Sequence, residues 1–344
     1  GAWQLVRDPA ARSAMGIHHV VVGYAEGNAA SVFRALIEGQ TLPEVIAGEN
    51  VPAQCIPPIR GASTMGAVEI SRGCGLGCAF CTIARQPMMH LPEDTILADA
   101  ATNLAGGISS VALLSEDFFR YGAAGMKVNP PALIGLLRRL RQLPGLRLIQ
   151  TDHANVLSIS RFDDAELRAV CELMAGSCGA RYVWVNVGVE TASPRLLADN
   201  GGAAKMGSLA GNWPEACAMQ IERLARAGFF PMVSLILGLH GETDSDLLAT
   251  LEWVKRLPNR RLAVFPMLHA PLDGTPPAPL GPLHWRIIRE CYRLNFRWIP
   301  RMYWDNQRSA GVGLVRRCVT GILGQGRALE WKARFAAAPL RSSR

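Results

Sequence analysis

The part of the chain best suited to chemistry is a group of three cysteines, Cys74, Cys78 and Cys81. They are spaced Cys-x3-Cys-x2-Cys, and glycines at 73, 75 and 77 allow a short loop to bring three thiolates to one centre. A structural zinc site usually closes with four ligands, and no fourth Cys or His stands at a suitable spacing. Three thiolates on a four-iron cubane leave one iron without a protein ligand. The spacing therefore favours an iron–sulfur cluster with an open iron. A zinc loop and three unrelated structural cysteines are the alternatives.

The cysteine count and the lack of long apolar segments indicate in which cellular compartment the protein works. Nine cysteines in 344 residues is an odd number, whereas secreted disulfide scaffolds favour even counts in short chains. The first residues contain no apolar segment typical of a secretory signal. The longest apolar stretch, residues 229–239, is about half of the roughly 20 residues that a membrane span needs. We therefore expect a cytoplasmic protein without a transmembrane segment.

The formal net charge of +8 is unevenly distributed along the chain. Residues 284–344 contain 13 Lys and Arg against 3 Asp and Glu, while the preceding part is close to neutral. A basic stripe on a helix can bind nucleic acid or another polyanion, but a solvated helix face explains the same composition. We therefore do not expect nucleic acid as a partner, and the role of the basic segment stays open.

Strand-like and helix-like segments alternate along most of the chain. Near-continuous apolar runs predict buried parallel strands, and segments with helical periodicity lie between them. The predicted strands are residues 67–71, 110–114, 146–151, 182–189, 232–237 and 262–268. The predicted helices are residues 92–105, 130–142, 163–174, 214–227, 244–257 and 284–299. Such an alternation predicts an α/β fold with a parallel sheet, whose carboxyl-terminal strand ends collect the ligands.

Two further segments flank this alternation. Residues 18–23 and 29–38 predict one strand–helix unit, followed by a proline-rich connector. Beyond residue 300 the chain is rich in Arg and Gly, and we predict an irregular cap with weak helical pieces. The predicted domains are an N-terminal unit with its linker at 1–60, an α/β barrel at 61–283 and a basic, mostly helical extension at 284–344.

The cysteine motif, placed directly after the first predicted strand of the barrel, resembles that of the radical S-adenosylmethionine (radical SAM) superfamily. An aromatic residue such as Phe80 before the third cysteine is common in that family. The resemblance implies a partial (β/α)6 barrel in which Cys74, Cys78 and Cys81 hold a [4Fe-4S] cluster and SAM binds the open iron. One electron would then cleave SAM to a 5′-deoxyadenosyl radical, which abstracts hydrogen from a substrate.

The same resemblance implies contacts to SAM at several strand ends. Residues 115–117 lie where the family holds the SAM amino group, although a solvated turn is an equal alternative. Residues 188–194 resemble a segment that contacts the ribose or carboxylate, and Ser193 is also a suitable helix N-cap. Residues 234–243 resemble the segment against adenine, and residues 270–276 resemble a common loop. The residues assigned to SAM in this way are Phe80, Glu116, Asp117, Glu190, Ser193, Ser234 and Gly238; no catalytic residue is assigned.

Residues 18–50 resemble the last strand–helix unit of the Rossmann-like cobalamin-binding domain found in the B12-dependent branch of the family. Most of that domain is absent from the sequence. Its cobalt-ligating motif, Asp-x-His-x-x-Gly, does not occur. We therefore interpret the N-terminal unit as a remnant and leave cobalamin as an open cofactor that no cobalt-ligating motif supports.

The expected function is that of a radical SAM enzyme acting on a small, rather apolar organic substrate, with C-methylation and oxidation both open. An external electron donor of the flavodoxin or ferredoxin type is the expected partner. One alternative is a methylthiotransferase-like enzyme that modifies RNA or protein. Such enzymes carry a second cluster on three N-terminal cysteines, whereas only Cys55 precedes the motif here. The other alternative is a non-enzymatic iron–sulfur electron-transfer or scaffold protein.

Overall fold

The computed structural model describes residues 8–178, 180–257, 261–272, 274–309 and 311–337. Its strands are β1 (Val20–Val22), β2 (Val45–Ala47), β3 (Ala67–Glu69), β4 (Ser71–Arg72), β5 (Met89–His90), β6 (Ser110–Leu114), β7 (Leu148–Thr151), β8 (His153–Asn155), β9 (Val183–Glu190), β10 (Phe229–Leu237) and β11 (Ala263–Leu268). Its α-helices are α1 (Pro9–Ala14), α2 (Ala29–Ile37), α3 (Glu93–Ala105), α4 (Pro130–Arg141), α5 (Val156–Ile159), α6 (Asp164–Ala175), α7 (Pro194–Asp199), α8 (Ala203–Met206), α9 (Trp213–Ala227), α10 (Asp244–Arg256), α11 (Pro282–Ser309) and α12 (Leu314–Ala337).

The barrel strands follow one another in chain order and run parallel. One sheet has the order β3-β6-β7 and the next has the order β8-β9-β10-β11. β7 and β8 are separated only by Asp152, so together they form the third strand. The predicted α/β fold with a partial (β/α)6 barrel is confirmed. The third strand ends later than predicted, and the fifth begins at Phe229, three residues early.

Side chains of the barrel strands alternate between a face packed against the surrounding helices and an inner face. In β9, Val183, Val185 and Val187 are fully buried in the main core, together with residues of the surrounding helices. The alternate residues Trp184 and Asn186 are only half-buried. Since neighbouring residues of a barrel strand face opposite sides, these half-buried side chains line the inside of the barrel.

The N-terminal unit is larger than predicted. The predicted strand and helix correspond to β1 and α2, and the additional strand β2 pairs with β1 in parallel. A parallel pair joined by a helix is a complete βαβ unit. Helix α2 has no buried residue, and Phe33 and Ile37 on it are exposed. Within the described residues, this small unit therefore leaves part of its apolar surface open.

The C-terminal extension corrects two expectations. Helix α11 does not end near residue 299 but continues through Pro300, and α12 is one continuous helix where an irregular cap was expected. Proline disrupts a helix by removing a hydrogen bond. Here Trp298 and Met302, on either side of it, pack against Tyr182 and Phe230 at the amino ends of two barrel strands. This packing favours continuation of the helix over local propensity. No described helix is long and apolar enough to cross a membrane.

Helix α11 also covers the edge of the barrel sheet. The Asn295 side chain accepts from the amide of Val264 and donates to its carbonyl oxygen, both at 2.7 Å. An edge strand exposes backbone groups that would otherwise invite pairing with another chain. Asn295 satisfies one such pair on β11, and it is buried at 1% exposure.

Candidate active site

The cysteine loop follows β4 and is shaped by glycines. Gly73, Gly75 and Gly77 have φ angles of 74°, 72° and 78°, which residues with side chains rarely adopt. A Cβ on Gly73 would lie 2.4 Å from the carbonyl oxygen of Pro87. The amide of Gly77 donates to the carbonyl oxygen of Ala84 at 2.9 Å. The glycines therefore allow the loop to fold back on the chain that follows it.

The three thiols of the motif lie together in this loop. Cys74 and Cys78 are buried, Cys81 is half-buried, and they pack in one cluster with Leu76 and Ala84. None of them forms a disulfide. Among the described residues, no group of three or more Cys, His, Asp or Glu is arranged to hold a single metal ion. A cubane binds each thiolate through a different iron, so three thiols on one loop fit a cluster that keeps one iron open.

Two buried cations lie beside the thiols. Burial raises the pKa of Cys74 to about 11 and also raises the pKa of Cys78. The Lys205 ammonium opposes this rise at both thiols. The guanidinium of Arg120 donates from Nη1 to the carbonyl oxygen of Cys74 at 2.8 Å, and its Nε, though buried, has no partner among the described residues. Because the thiolate is the metal ligand, both cations favour the form that binds iron.

Lys205 is a site residue that the sequence motifs do not reveal. Its Nζ lies 3.0 Å from Oε1 of Glu190, and both side chains are 10% exposed. Burial lowers the pKa of Lys205, but the Glu190 carboxylate and the nearby thiols raise it by more, so the net shift is upward. A Cβ on Gly188 would lie 2.4 Å from Glu190 Oε1 and 2.7 Å from Lys205 Nζ. Gly188 therefore leaves the space for this pair. The one sequence feature that could have pointed to this residue is its type, because most basic residues of the chain are arginine.

Glu190 sits at an irregularity between β9 and β10. Its φ is 66°, a left-handed conformation that is strained for a residue with a side chain. Ser234 pairs with Gly188, but the next residue, Leu235, pairs with Glu190, so one residue of β9 is skipped. The Ser234 hydroxyl donates to Glu190 Oε2 at 3.3 Å. Two residues assigned to SAM from the sequence are thus in direct contact, and the carboxylate lies between Ser234 and Lys205.

Ser193 is the N-cap of α7. Its hydroxyl accepts from the amide of Leu196 at 3.2 Å and donates to Oδ1 of Asp246 at 2.5 Å. The N-cap interpretation is confirmed. Because the hydroxyl hydrogen is already donated within the protein, a contact between Ser193 and SAM stays a prediction.

Asp117 is fully buried behind the second strand. Its Oδ2 accepts from the Ser158 hydroxyl at 2.5 Å, and its Oδ1 accepts from the amide of Asn155 at 3.2 Å. Burial raises the pKa of this carboxyl to about 6. Both oxygens are used to connect the second strand to the third. The structure therefore gives Asp117 a positioning role, and its predicted contact with SAM stays a prediction.

Glu116 belongs to a polar group at the end of the second strand and within the third strand. Asp152 Oδ1 lies 3.0 Å from Nδ1 of His153 and accepts from the Asn186 side chain at 2.8 Å. The hydrogen bond to Asp152 raises the pKa of His153. Burial raises the pKa of Glu116, which His153 lowers and Asp152 raises further. Both shifts favour the protonated forms of His153 and Glu116, so the group can hold a proton.

A cavity of about 670 Å³ lies beside the cysteine loop. Phe80 and Gly238, both assigned to SAM from the sequence, line it together with Asn200. The loop after β11, expected at residues 270–276, contributes Pro271; Asp273 in that loop lies outside the described residues. The main-chain oxygen of Asn200 accepts from the amide of Ala79 at 2.9 Å, directly after the second cysteine. This hydrogen bond therefore connects the wall of the cavity to the cysteine loop.

The start of helix α11 fixes one wall of this cavity. The His284 Nδ1 accepts from the amide of Gly281 at 3.0 Å, so the hydrogen of a neutral ring is on Nε2. That Nε2 donates to Oε2 of Glu242 at 2.7 Å, and the same oxygen accepts from the amide of Gly238 at 3.0 Å. The C-terminal extension therefore holds the Gly238 loop in place, a contact between distant segments that no sequence motif indicates.

Arg72, the residue before the cysteine loop, attaches the N-terminal unit to the barrel. Its side chain is 6% exposed and forms ion pairs with Glu69 at 2.7 Å and Glu26 at 2.5 Å. It donates to Asn50 at 3.2 Å and lies 4.1 Å from the ring centroid of Tyr24. Three of these partners belong to the N-terminal unit or its linker. This unit is therefore held directly against the loop that carries the thiols.

Comparison with known proteins places these features in a family. A family model described as the radical SAM superfamily matches residues 68–254. The ribosomal protein uS12 methylthiotransferase RimO of Trichlorobacter lovleyi is 27% identical over 73% of this chain and 53% of its own length. The tRNA-2-methylthio-N(6)-dimethylallyladenosine synthase of Mycolicibacterium paratuberculosis is 26% identical over 69% of this chain and 44% of its own. The chain spans about half of these relatives or less.

A solved structure is also similar in part. It is the radical S-adenosylmethionine methyltransferase TsrM from Kitasatospora setae with cobalamin and a [4Fe-4S] cluster bound. The superposition has a TM-score of 0.45 and 18% sequence identity, and it covers 59% of this chain and 36% of that one.

The family match covers more than half of the chain and includes the cysteine loop, Lys205 and Gly238, which lines the cavity. The chain belongs to the radical SAM superfamily.

Proposed function

We propose that this protein is a radical SAM enzyme that holds a [4Fe-4S] cluster on Cys74, Cys78 and Cys81 and binds SAM in the cavity beside them. The observation that carries the proposal is the arrangement of three reduced thiols on a glycine-rich loop, next to a cavity lined by Phe80 and Gly238. A cluster with three protein ligands has one iron free for another donor, such as the amino and carboxylate groups of SAM.

When bound, the cluster supplies one electron to SAM and so generates the radical that begins the reaction. The protein's own residues would hold the cluster and orient SAM. Lys205 and Arg120 offset negative charge at the thiolates, and Phe80 with the Gly238 loop shapes the SAM cavity. Glu190 and Ser234, joined by a hydrogen bond, are the proposed polar contacts to SAM.

The proposed substrate is a small, rather apolar organic molecule inside the barrel mouth. Support comes from apolar side chains on the inner face that are not fully buried, among them half-buried Ile236 and exposed Leu114. The polar groups there include Asn186, the Asp152–His153 pair and Glu116. Apolar walls with a few convergent polar groups are typical of small-molecule sites. A flavodoxin- or ferredoxin-type protein is the proposed electron donor.

Methylthiotransfer is the second candidate, because curated relatives with this activity are 26–27% identical to the chain. By the resemblance, such an enzyme carries a second cluster on upstream cysteines, and Cys55, an exposed residue, is the one cysteine before the motif in this sequence. Iron analysis of anaerobically reconstituted protein separates the two candidates. About four irons per chain supports the first, and about eight supports the second.

The proposed function is tested by incubating the reconstituted protein with SAM and a strong reductant and measuring 5′-deoxyadenosine. We expect formation by the wild-type protein and none by Cys74→Ala/Cys78→Ala/Cys81→Ala. Cys55→Ala is the matched control and should keep the wild-type rate, because this cysteine is exposed and outside the motif. Iron-loaded wild-type protein that forms no 5′-deoxyadenosine would favour the electron-transfer or scaffold alternative.

A further inference from the structure

A second cavity of about 670 Å³ lies among the helices α10, α11 and α12. None of its lining residues belongs to a strand end or to the cysteine loop. Basic side chains from all three helices surround it: Lys255, Arg286, Arg289, Arg293 and Lys332. Glu290 is the one carboxylate among its lining residues. The cavity is therefore strongly positive and separate from the proposed SAM site.

The cations around this cavity are only partly neutralised. Arg293 pairs with Glu290 at 2.8 Å, and Lys255 pairs with Glu252 at 2.8 Å. Among the described residues, Arg286 and Lys332 make no hydrogen bond or ion pair, and both are exposed. Like charges arranged around one hollow repel each other. An anion in the cavity would relieve this repulsion.

The apolar part of the lining is a group of stacked rings. Tyr292 and Phe335 stack with centroids 5.1 Å apart, and Phe296 meets Phe335 at 6.1 Å. The Arg289 guanidinium also donates to the carbonyl oxygen of Phe335 at 3.0 Å. These contacts join α11 to α12 through aromatic packing. The cavity therefore has a wall whose shape is fixed without using the charges of Arg286 or Lys332.

We propose that this cavity binds a small phosphate-bearing molecule of about nucleotide size. Arginine presents several donors in a planar fork that matches phosphate oxygens, and lysine adds a mobile point charge. Cavities that enclose small ligands usually measure roughly 300–1,000 Å³. The cations come from three helices around one open cavity and not from a single helix face, which favours a compact anion over an extended nucleic-acid strand. The proposal does not depend on the cluster or on SAM.

The test is calorimetric titration of the SAM-saturated holoprotein with inorganic tripolyphosphate, which lacks an adenine and so does not imitate SAM. The test variant Arg286→Gln/Lys332→Gln removes two exposed cations. The control Arg138→Gln/Arg168→Gln removes two exposed cations from the distant helices α4 and α6. Loss of one hydrogen bond to a charged group weakens binding by about tenfold or more, so we expect the test variant to bind at least about tenfold more weakly. The control should bind as the wild type does.

A titration with a single-stranded RNA under the same conditions separates two sources of phosphate. Tripolyphosphate binding that weakens with salt and depends on Arg286 and Lys332 supports the proposal. Binding of RNA but not of tripolyphosphate would overturn the assignment to a small ligand. Equal loss of binding in both double variants, or no binding by the wild type at low salt, would also overturn it.

Discussion

The barrel mouth and the C-terminal helices differ in how far their charged side chains form ion pairs. At the mouth, the buried cations Lys205 and Arg72 have carboxylate partners within 3.0 Å. On the C-terminal helices, Arg286 and Lys332 line a cavity and form no ion pair with any described residue, and Ile322 is 73% exposed. Pairing at the mouth fixes geometry before any ligand arrives. The C-terminal surface instead keeps charge that only an added molecule would neutralise. Substitutions at the mouth should therefore lower the stability of the protein, whereas substitutions of the cavity cations on the C-terminal helices should weaken ligand binding.

The largest expected loss of stability follows Lys205→Met at the mouth. The substitution leaves the Glu190 carboxylate buried without its cation, which typically costs about 3–5 kcal/mol. Chemical denaturation of the apoprotein measures the free energy of unfolding. The double variant Glu190→Gln/Lys205→Met removes both charges and should lose less than Lys205→Met alone. A double variant as unstable as the single one would mean that packing, and not charge, holds this pair.

Asp117→Asn should change how the free energy of unfolding depends on pH. The pKa of Asp117 is raised to about 6 in the folded protein, against about 3.9 in an unfolded chain. The folded state therefore binds the proton more tightly, and stability falls as pH rises from about 4 to about 6, by roughly 2–3 kcal/mol. Asparagine cannot titrate, so this component of the pH dependence should disappear. An unchanged pH profile of denaturation would contradict the assignment.

Arg72→Met should loosen the N-terminal unit. Loss of the guanidinium leaves Glu26 and Glu69 without their cation, but both are partly exposed, so water compensates in part and the loss is about 1–2 kcal/mol. Limited proteolysis should then cut the connector at residues 51–60 faster than in the wild type. Arg34→Met, on the exposed face of α2, is the control and should not alter the cutting rate.

The smallest effect is expected for Ile322→Gln on α12. Because this side chain is 73% exposed, the free energy of unfolding should change by no more than about 0.5 kcal/mol. Thermal and chemical denaturation both measure it. A loss above 1 kcal/mol, roughly twice that limit, would mean that another surface covers this helix in solution and would weaken the contrast with the mouth.

Local sequence patterns predicted the barrel well because its strands are continuous apolar runs between helical segments. They failed where contacts between residues far apart in the sequence determine the local structure. Pro300 predicts a helix end, yet contacts to Tyr182 and Phe230 favour continuation. The glycines of α12 indicated irregular structure, but a Cβ at Gly321 would lie 3.0 Å from the ring of Trp304. That glycine permits close packing of two helices, and nothing in the structure explains Gly324.

In the candidate site, too, some residues could be predicted from local motifs and others could not. The cysteines, Phe80 and Gly238 carry motifs that are local in sequence and lie together in the structure. The ion pair of Lys205 with Glu190 and the hydrogen bond from His284 to Glu242 join distant segments. Only the folded chain brings such partners together, and each residue alone has an ordinary surrounding sequence. Motifs therefore indicated the candidate ligands but not the residues that position them.

The most direct test of the central claim is electron paramagnetic resonance of the reduced, iron-loaded protein before and after addition of SAM. An iron without a protein ligand can accept SAM, so we expect a [4Fe-4S] signal whose g values shift when SAM is added. The variant lacking Cys74, Cys78 and Cys81 should give no such signal. A cluster spectrum that SAM leaves unchanged, or anaerobic protein that contains zinc in place of iron, would contradict the account.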